Sequence, residues 1–361
     1  MRPTKFDTLA LKLEEMISLR EIDDDGRLPS QNQIVERFKT SRSCVNKALN
    51  MLHDKGLIEK VPGKGNFVSS IKKHLPRPLK HLLYLNNCNM RMYRTGYDDF
   101  GIETIFGIED ECKQKKISFM LRSVSPNEYF SLSSIVRDAE PDGIVAMYSI
   151  PQEQIREIAG TGIPVVCVDI PCYFPGIGCS IVNYHDSYIM LAAKLEEAGV
   201  RNIAFLYPKT SRYGSEIGNT LNMIRTSRPH LKITDIDFSI PGTAYDADRD
   251  MEMIKASMNA ILKNGDLPEV IICNTDYIAE KLLDICKSHG LSVPEDIQII
   301  GGLGLNLSRK TDPPLSTLGV APEELGNKAV RILWDMVTAG SPERVERISM
   351  EYRSGGSCTI I

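Results

Sequence analysis

Polar side chains suited to nucleic-acid contacts recur at helical spacing within residues 42–47. Arg42 and Asn46 are four residues apart, as are Ser43 and Lys47, so the four side chains share one side of a helix. Arginine and asparagine can each make two hydrogen bonds to the edge of a base, and a hydroxyl near a helix start can contact phosphate. A helix of this kind fits the major groove of double-stranded DNA. The spacing therefore predicts a DNA-contacting helix.

Two further helices are predicted to hold this helix in place. Apolar residues at helical spacing predict a first helix over residues 6–20. Ser30 can cap a second helix, with Gln33 completing a capping box. Ser41 can cap the third helix, which carries the contact surface, and Gly56 is a suitable stop after it. The short turn between the second and third helices is typical of a helix–turn–helix.

A β-hairpin is predicted directly after the third helix. Its strands are the extended runs Leu57–Val61 and Asn66–Ser69, joined by a Pro-Gly-Lys-Gly turn. Lys64 lies between two glycines at the tip, where both its ammonium group and the backbone can approach a sugar-phosphate chain. Helices followed by such a hairpin predict a winged helix–turn–helix.

Charge is unevenly distributed along the chain, whose net charge is −4. Residues 1–80 carry 16 Lys and Arg against 10 Asp and Glu, whereas the remainder carries 27 against 37. A basic N-terminal segment on an acidic body indicates that one end of the chain meets a polyanion.

The motifs of this region resemble the gluconate-repressor (GntR) DNA-binding domain over about residues 5–70. They are Gly26-Arg27-Leu28-Pro29-Ser30, Ser41-Arg42-Ser43-Cys44-Val45, Lys47-Ala48-Leu49, Gly56-Leu57-Ile58 and Gly63-Lys64-Gly65-Asn66-Phe67-Val68. The resemblance implies DNA contacts from the second helix, the third helix and the wing. The candidate DNA-binding residues are Arg27, Ser30, Asn32, Ser41, Arg42, Ser43, Cys44, Asn46, Lys47, Lys64 and Gly65.

Three positions depart from the pattern of that family. Gln31-Asn32 stands where Glu-Arg is usual, and the family's arginine contacts DNA. Asn46 stands where arginine is common. The operator sequence therefore does not carry over from the family.

The sequence pattern changes after a basic, proline-containing linker at residues 71–80. Short apolar runs then alternate with amphipathic helices, which predicts parallel sheets covered by helices on both faces. The predicted strands are Leu82–Leu85, Ile117–Val124, Gly143–Tyr148, Val165–Ile170, Ile203–Tyr207, Ile233–Phe238, Val270–Cys273 and Ile297–Ile300. The predicted helices include Phe100–Lys115, Tyr184–Ala198 and Ala279–Ser288.

This second half resembles the effector domain of the lactose/galactose-repressor (LacI/GalR) family, which is similar to periplasmic sugar-binding proteins. The stretches that carry the resemblance include Pro141-Asp142-Gly143, Ile163–Asp169, Gly199–Phe205, Asn274-Thr275-Asp276, Val293–Ile297, Pro313–Thr317 and Pro322–Gly326. The fold class is therefore α/β, with an N-terminal winged helix–turn–helix and a two-lobed, Rossmann-like sensor of the periplasmic-binding-protein type.

The resemblances divide the chain into two domains and a linker. The DNA-binding domain is predicted at 1–70, the linker at 71–80 and the sensor at 81–361. The first sensor lobe is assigned to about 81–183 and 305–340, and the second to about 184–304 and 341–361.

The resemblance also implies a small-molecule site in the cleft between the lobes. Carboxylates, amides and arginine around a cleft suit sugar hydroxyls, and an aromatic ring can stack on the sugar. The candidate effector-binding residues are Tyr97, Asp99, Asp169, Asn183, His185, Arg212, Asn274 and Asp276. Two departures are visible: Gly301–Gly304 lacks the family's sugar-reading Asp, and Ser215 stands where a cleft arginine is usual.

Other classes of protein are less consistent with the sequence. An aminotransferase-like domain binding pyridoxal phosphate, fused to a GntR-type domain, needs a longer second half, and the phosphate-loop, zinc-protease and serine-hydrolase motifs are absent. A solute-binding protein would need export, and we find no signal peptide. We therefore expect a cytoplasmic protein that is not an enzyme and has no cofactor, metal site or membrane span. Nine scattered cysteines are expected to be reduced, buried thiols.

The predicted function is sequence-specific, ligand-responsive transcriptional regulation. Two chains are expected to form a homodimer and to present two recognition helices to a pseudo-palindromic operator. A small ligand, expected to be a sugar or sugar derivative, would change DNA affinity by shifting the lobe-closure equilibrium. The simplest version is a repressor of carbohydrate-utilisation genes that its inducer releases from DNA.

Overall fold

The computed structural model describes residues 5–18, 27–54, 57–68, 77–86, 99–147, 150–172, 174, 176–209, 213–237, 252–259 and 267–361. The chain divides into two compact units. The first contains Met1–Cys88, Asp110–Ser180 and Lys328–Glu346, and the second contains Asn89–Glu109, Ile181–Asn327 and Arg347–Ile361.

A small helical module begins the first unit. It consists of α1 (Lys5–Ser18), α2 (Gln31–Phe38), α3 (Arg42–Asp54), β1 (Ile58–Val61) and β2 (Gly65–Val68). One apolar cluster holds these elements together, and its fully buried members include Leu13, Ile34, Val45 and Leu52. The predicted three helices and hairpin are thus present.

Local side-chain hydrogen bonds begin and end the helices of this module. Ser30 accepts a hydrogen bond from the Gln33 backbone N–H at 3.4 Å, and the Gln33 side chain accepts one from the Ser30 N–H at 2.8 Å. Lys39 takes a left-handed conformation, with φ of 47°, and ends α2. Ser41 accepts from the Cys44 N–H at 3.2 Å and caps α3. The capping box and the cap on α3 are confirmed.

The hairpin is closed by a turn that needs glycine. The Lys64 N–H donates to the Val61 carbonyl at 3.0 Å, with Pro62 and Gly63 between them. Gly63 has φ of 73°, the left-handed value that the third residue of a type II turn requires. The Leu28 N–H donates to the Asn66 carbonyl at 2.9 Å, so the segment before α2 pairs with the hairpin through one isolated antiparallel bridge, Arg27 with Phe67.

The remaining elements alternate strands and helices. The strands are β3 (His81–Asn86), β4 (Ser118–Ser123), β5 (Gly143–Met147), β6 (Val165–Val168), β7 (Ile177–Asn183), β8 (Asn202–Tyr207), β9 (Lys232–Asp237), β10 (Val270–Cys273), β11 (Gln298–Leu303), β12 (Ser316–Gly319), β13 (Val345–Ser349) and β14 (Glu351–Arg353). The helices are α4 (Asp99–Lys115), α5 (Leu132–Ala139), α6 (Gln152–Ala159), α7 (Tyr184–Glu197), α8 (Gly214–Ser227), α9 (Asp276–Ser288) and α10 (Pro322–Thr338), with a helical stretch at 252–259. Two 3₁₀ turns span Pro126–Ser131 and Asn306–Arg309.

Two six-stranded sheets share one topology. The first has the order β13-β7-β6-β5-β3-β4, and the second has the order β14-β12-β11-β10-β8-β9. In the first sheet β3 lies between β4 and β5, and in the second sheet β8 lies between β9 and β10. The direction in which strands are added reverses at β3 and at β8, which makes a switch point there. The strands of β5, β6 and β10 are buried along their whole length, as apolar runs in parallel sheets require.

The lobe boundaries differ from the sequence-based assignment. β12 pairs with β11 in the second sheet, although residues 305–340 were assigned to the first lobe. β13 belongs to the first sheet, although residues 341–361 were assigned to the second lobe. The sheet that a short edge strand joins depends on which distant strand offers unpaired backbone N–H and C=O groups. The sequence of the short strand does not reveal that partner. β7, β12, β13 and β14 are not among the predicted strands.

The end of the linker is fixed to the first sheet. Residues 71–76 lie outside the described residues, but the Arg77 N–H donates to the Val337 carbonyl at 2.9 Å. The Asp142 carboxylate accepts from the N–H groups of Lys80 and His81 at 2.8 and 2.9 Å. The linker therefore reaches β3 in a defined position.

Two glycines allow α4 and α10 to pack backbone against backbone. A Cβ at Gly107 would lie 2.0 Å from the Glu323 carbonyl oxygen, and one at Gly326 would lie 2.2 Å from the Thr104 carbonyl oxygen. Neither backbone atom can move away as a flexible side chain could. The close approach of the two helices therefore depends on these glycines.

We predict that Gly107→Ala lowers the free energy of unfolding by about 1–3 kcal/mol, the usual cost of overpacking. The measurement is urea unfolding followed by circular dichroism. The matched control is Gly218→Ala in α8, where a Cβ meets only the Tyr207 hydroxyl at 3.5 Å. This control should be neutral or stabilising, because alanine favours a helix over glycine. Equal stability of the two variants would contradict the close-packing interpretation.

Candidate nucleic-acid interface and ligand site

The exposed side of α3 carries the predicted polar set. Arg42, Ser43, Asn46 and Lys47 are all exposed, while Val45 on the opposite side is buried in the core of the module. The helix therefore presents the side chains that the spacing predicted and buries an apolar side that includes Val45, Ala48 and Leu49.

A concave surface of about 340 Å³ lies between α3 and the wing. It is lined by Asn46 and Asn50 from α3 and by Lys60, Gly63 and Gly65 from the hairpin. The Lys60 ammonium donates to the Asn50 side-chain oxygen and links helix to wing. Sequence reasoning missed Asn50 and Lys60. A continued four-residue step from Arg42 through Asn46 to Asn50 was the available signal.

The second and third helices are joined by a side-chain fork. The Asn32 Oδ1 atom accepts from Arg42 Nε at 3.2 Å and from Arg42 Nη2 at 2.7 Å. Both residues are exposed. The structure thus brings together Asn32 and Arg42, two of the predicted DNA-binding residues.

Three of the remaining predicted DNA contacts surround the wing tip. Lys64 is exposed, and Gly65 has φ of 118°, which an L side chain rarely adopts. A Cβ at Gly65 would lie 3.3 Å from Arg27 Nε, so the Arg27 guanidinium lies beside the tip. Two cations, Lys64 of the turn and Arg27 of the segment before α2, therefore lie near the wing tip.

Other predicted contacts also have structural roles. Ser30 and Ser41 cap α2 and α3 through their hydroxyls. Cys44 is half-buried and packs against the core of the module. The Lys47 ammonium lies 5.5 Å from the centre of the Phe6 ring of α1, a cation–π contact.

The candidate ligand residues are distributed over both units. Tyr97 and Arg212 lie outside the described residues. Asp169 lies in the first unit, directly after β6, with φ of 52°, and its N–H donates to the Ser180 carbonyl at 2.9 Å. Asp99 lies in the second unit as the half-buried first residue of α4.

Asn183 and His185 lie at the start of α7 in the second unit. Asn183 caps this helix by accepting from the Asp186 N–H at 3.2 Å. His185 Nδ1 lies 2.9 Å from the Thr220 hydroxyl, whose proton is donated to the Glu216 carbonyl at 2.8 Å. Because that proton is used, Nδ1 is the donor and Nε2 of a neutral ring is an acceptor. His185 can therefore receive a hydrogen bond from a ligand hydroxyl.

Asn274 and Asp276 follow β10, at the switch point of the second sheet. The Asn274 side-chain oxygen is buried and has no hydrogen-bond partner among the described residues. Asp276, in contrast, is occupied by internal bonds: Oδ1 accepts from the Thr317 hydroxyl at 2.6 Å and Oδ2 from the Leu305 N–H at 2.7 Å. The Asn274 side-chain oxygen thus keeps an unused acceptor, whereas the Asp276 carboxylate holds the loop after β11.

Burial raises the pKa of the Asp276 carboxyl to about 6. Hydrogen bonds from Thr317, Leu305 and Gly304 and the charge of Arg353 oppose this effect. Desolvation of the charged form is the larger influence.

The described residues contain no group of three or more potential metal-ligating side chains. In the same part of the chain, no helix has the length and apolarity needed to cross a membrane. The eight cysteines that the structure describes are all free thiols, of which seven are buried. The ninth, Cys88, lies outside the described residues.

Two segments of the chain match known families. Residues 6–68 match the bacterial regulatory proteins of the gntR family, and residues 192–358 match the periplasmic binding protein-like domain. Both predicted resemblances, and with them the predicted fold class, are confirmed.

Curated relatives are transcriptional repressors. The chain is 22% identical over 353 residues to the arabinose metabolism transcriptional repressor of Geobacillus stearothermophilus, covering 94% of this chain and 93% of that one. It is 25% identical over 252 residues to the HTH-type transcriptional repressor PurR of Actinobacillus pleuropneumoniae, covering 68% and 73%.

Solved structures share the fold. A transcriptional regulator CelR–cellobiose complex has a TM-score of 0.64 at 16% identity and covers 99% of this chain and 100% of that one. A LacI-family regulator from Enterococcus faecium with bound ribose has a TM-score of 0.60 at 17% identity, covering 78% and 100%.

We predict that Asp276 makes the chain less stable as pH rises from about 4 through about 6. The raised pKa means that the folded chain holds a proton which the unfolded chain has released, so the stabilisation present at low pH is lost over this window. This rise in the pKa corresponds to a change of at most about 3 kcal/mol in the free energy of unfolding. Asp276→Asn removes the titration and keeps the hydrogen bonds if Thr317 accepts from the amide.

Urea unfolding of the wild type and the variant at pH 4 and pH 7 measures this difference. We expect Asp276→Asn to lose less stability than the wild type over that range. Thr317→Val is the control, because it removes one hydrogen bond but leaves the carboxyl to titrate, so its pH dependence should persist. Identical pH profiles for the wild type and Asp276→Asn would contradict the prediction.

Proposed function

We propose that this chain, which joins a gntR-family DNA-binding domain to a periplasmic-binding-protein-like domain, is a sequence-specific transcriptional repressor that responds to a small ligand. The observation that carries the proposal is the exposed face of α3, where Arg42, Asn46 and Asn50 line up beside a basic wing. The function is exercised on chromosomal DNA, which gives the protein a cytoplasmic location. The relatives and matched families are regulators, not aminotransferases, so the enzyme alternative is not favoured.

The proposed DNA contact has α3 in the major groove and the wing on the adjacent backbone. Asparagine recognises adenine through N6 and N7, and arginine recognises guanine through O6 and N7. Lys64 and Arg27 at the wing tip suit phosphate contacts, which supply affinity without sequence preference. Base reading is thereby assigned to α3 and electrostatic attraction to the wing.

We propose a homodimer as the DNA-binding form. In the first unit, Met120 is 51% exposed on β4, the edge strand of its sheet, and in the second unit Phe106 is 51% exposed on α4. Two-fold homodimers are the commonest assemblies of soluble proteins, and we assign these exposed apolar side chains to such an interface. Two copies present two recognition helices to a two-fold symmetric operator.

A sugar or sugar derivative is the proposed effector. The buried, unpartnered oxygen of Asn274 and the acceptor Nε2 of His185 both favour a ligand rich in hydroxyl donors. Arabinose metabolism, cellobiose and ribose appear in the names of related or structurally similar regulators. The ligand is expected at the carboxyl ends of the strands, the usual place in doubly wound sheets.

The loop after β6 offers a route from a ligand to the DNA-binding module. Asp169, a candidate ligand residue, begins this loop, and Phe174 near its end packs against the core of the winged helix–turn–helix. The Arg156 guanidinium lies 3.6 Å from the centre of the Phe174 ring, a cation–π contact that also holds this ring. A ligand that draws Asp169 toward itself changes this contact and, with it, the placement of α3.

We predict that Lys64→Ala weakens DNA binding for all sequences and lowers the slope of log affinity against log salt by about 1, as expected for one lost phosphate contact. Fluorescence anisotropy with a duplex selected by the wild type measures both quantities. Lys310→Ala is the matched control, since it removes the same charge from an exposed position in the second unit. An equal effect of the two variants would contradict a wing contact.

We predict that the effector raises the melting temperature of the full chain by mass action. A ligand at 100 times its Kd stabilises the folded state by about 2.7 kcal/mol. The screen uses pentoses, hexoses, disaccharides, sugar phosphates and nucleosides.

Asn274→Ala should reduce the rise in melting temperature given by the best ligand, while Asn219→Ala on the exposed side of α8 should leave it intact. A shift that survives Asn274→Ala unchanged argues against the proposed ligand position.

A further inference from the structure

We propose that Asn32 is a positioning residue that fixes the Arg42 guanidinium in one orientation, and that Arg42 thereby reads a guanine end-on. This inference rests on the proposed function and assigns the recognition of one base pair. It gives Asn32 a role different from that of the arginine which the family usually has at this position.

The geometry leaves a defined set of donors for DNA. A guanidinium has five N–H groups in a planar fork. The Asn32 Oδ1 atom takes one from Nε at 3.2 Å and one from Nη2 at 2.7 Å. The N–H groups that remain are one on Nη2 and two on Nη1. One from each nitrogen points outward along the side chain, and this parallel pair matches the adjacent O6 and N7 acceptors of guanine.

The position of Arg42 favours a base over a phosphate. Arg42 is the first residue of α3, and the N-terminal residues of a recognition helix contact base edges in helix–turn–helix proteins. The arginine is exposed and would otherwise sample many rotamers. Asn32 removes part of that freedom before DNA arrives, which lowers the entropy lost on binding.

Asn32 is poorly placed to read DNA by itself. Its Oδ1 atom already accepts two hydrogen bonds from Arg42. Asparagine recognises adenine with its oxygen and its amide nitrogen together, so an occupied oxygen excludes the bidentate contact. The residue is also neutral and releases no counterions from DNA. Its contribution to DNA binding therefore passes through Arg42.

A double-mutant cycle tests this role in the full-length protein. The probe is a duplex that the wild type enriches from a random pool, together with duplexes changed at each base pair in turn. We expect Asn32→Ala to weaken binding by about 10-fold, within the range of coupling between contacting residues. We expect Asn32→Ala and Arg42→Ala to lose preference at the same base pair, and the double variant to bind no more weakly than Arg42→Ala.

Two further variants sharpen the test. Asn32→Asp keeps an oxygen that accepts both Arg42 donors and should retain the base preference that Asn32→Ala loses. Asn46→Ala is the matched control, because Asn46 also lies on the exposed face but shares no hydrogen bond with Asn32 in the part of the chain that the structure describes, so its effect should add to that of Asn32→Ala. Circular dichroism checks that each variant is folded, and the exposure of Asn32 and Arg42 makes this the expected result.

Three outcomes would overturn the inference. Additive losses from Asn32→Ala and Arg42→Ala would show that Asn32 acts independently. A uniform loss over all duplexes for Arg42→Ala would place the guanidinium on a phosphate. Failure of the wild type to enrich any duplex would remove the proposed function itself, and the affinity of the wild type distinguishes that result from the other two.

Discussion

The backbone hydrogen bonds of the two parallel sheets constrain most of this structure. Parallel strands must be joined by crossovers, and these place helices on both faces of a sheet. The same connections bring the carboxyl ends of all parallel strands in a sheet to one edge. Asp169 after β6 lies at that edge in the first sheet, and Asn274 after β10 lies there in the second. Each sheet thus collects polar residues that are far apart in sequence.

Buried polar groups at the end of the second sheet illustrate how the same residue type serves different purposes. Asp276 has both oxygens satisfied by Thr317 and by the backbone of the loop after β11. The Arg353 guanidinium donates to the Gly304 carbonyl at 2.9 Å and closes the same loop. Asn274, two residues before Asp276, keeps a buried oxygen without a partner in the described part of the chain. Asp276 thus stabilises the loop after β11, whereas the Asn274 oxygen is left without a hydrogen bond among the residues described.

The DNA-binding module shows a similar division between structure and recognition. The left-handed residue Lys39 ends α2 before the turn into α3. The wing glycines adopt the positive φ values that the hairpin turn needs. Asn32 shares its oxygen with two donors of Arg42, so part of the contact surface serves to orient another part. At the position of Asn32 the family usually has an arginine, which adds a positive charge. In this chain Asn32 instead orients the positively charged side chain of Arg42.

The sequence by itself determined those features whose causes are local. The capping box at Ser30, the wing turn, the exposed spacing of Arg42 and Asn46, and eight of the twelve strands that the structure describes in the two sheets followed from propensity, periodicity and turn chemistry. The candidate site was only partly predictable: Asn183, His185 and Asn274 follow from resemblance, but their hydrogen-bond partners do not.

Tertiary structure alone decided which distant groups meet. It placed β12 in the second sheet and β13 in the first, turned Asp276 toward Thr317, and joined Asn32 to Arg42 and Asn50 to Lys60. The physical reason is that a polar atom or an unpaired strand edge is satisfied by whatever group packing brings within about 3 Å. That partner is chosen by the whole fold, and no short window of sequence contains it.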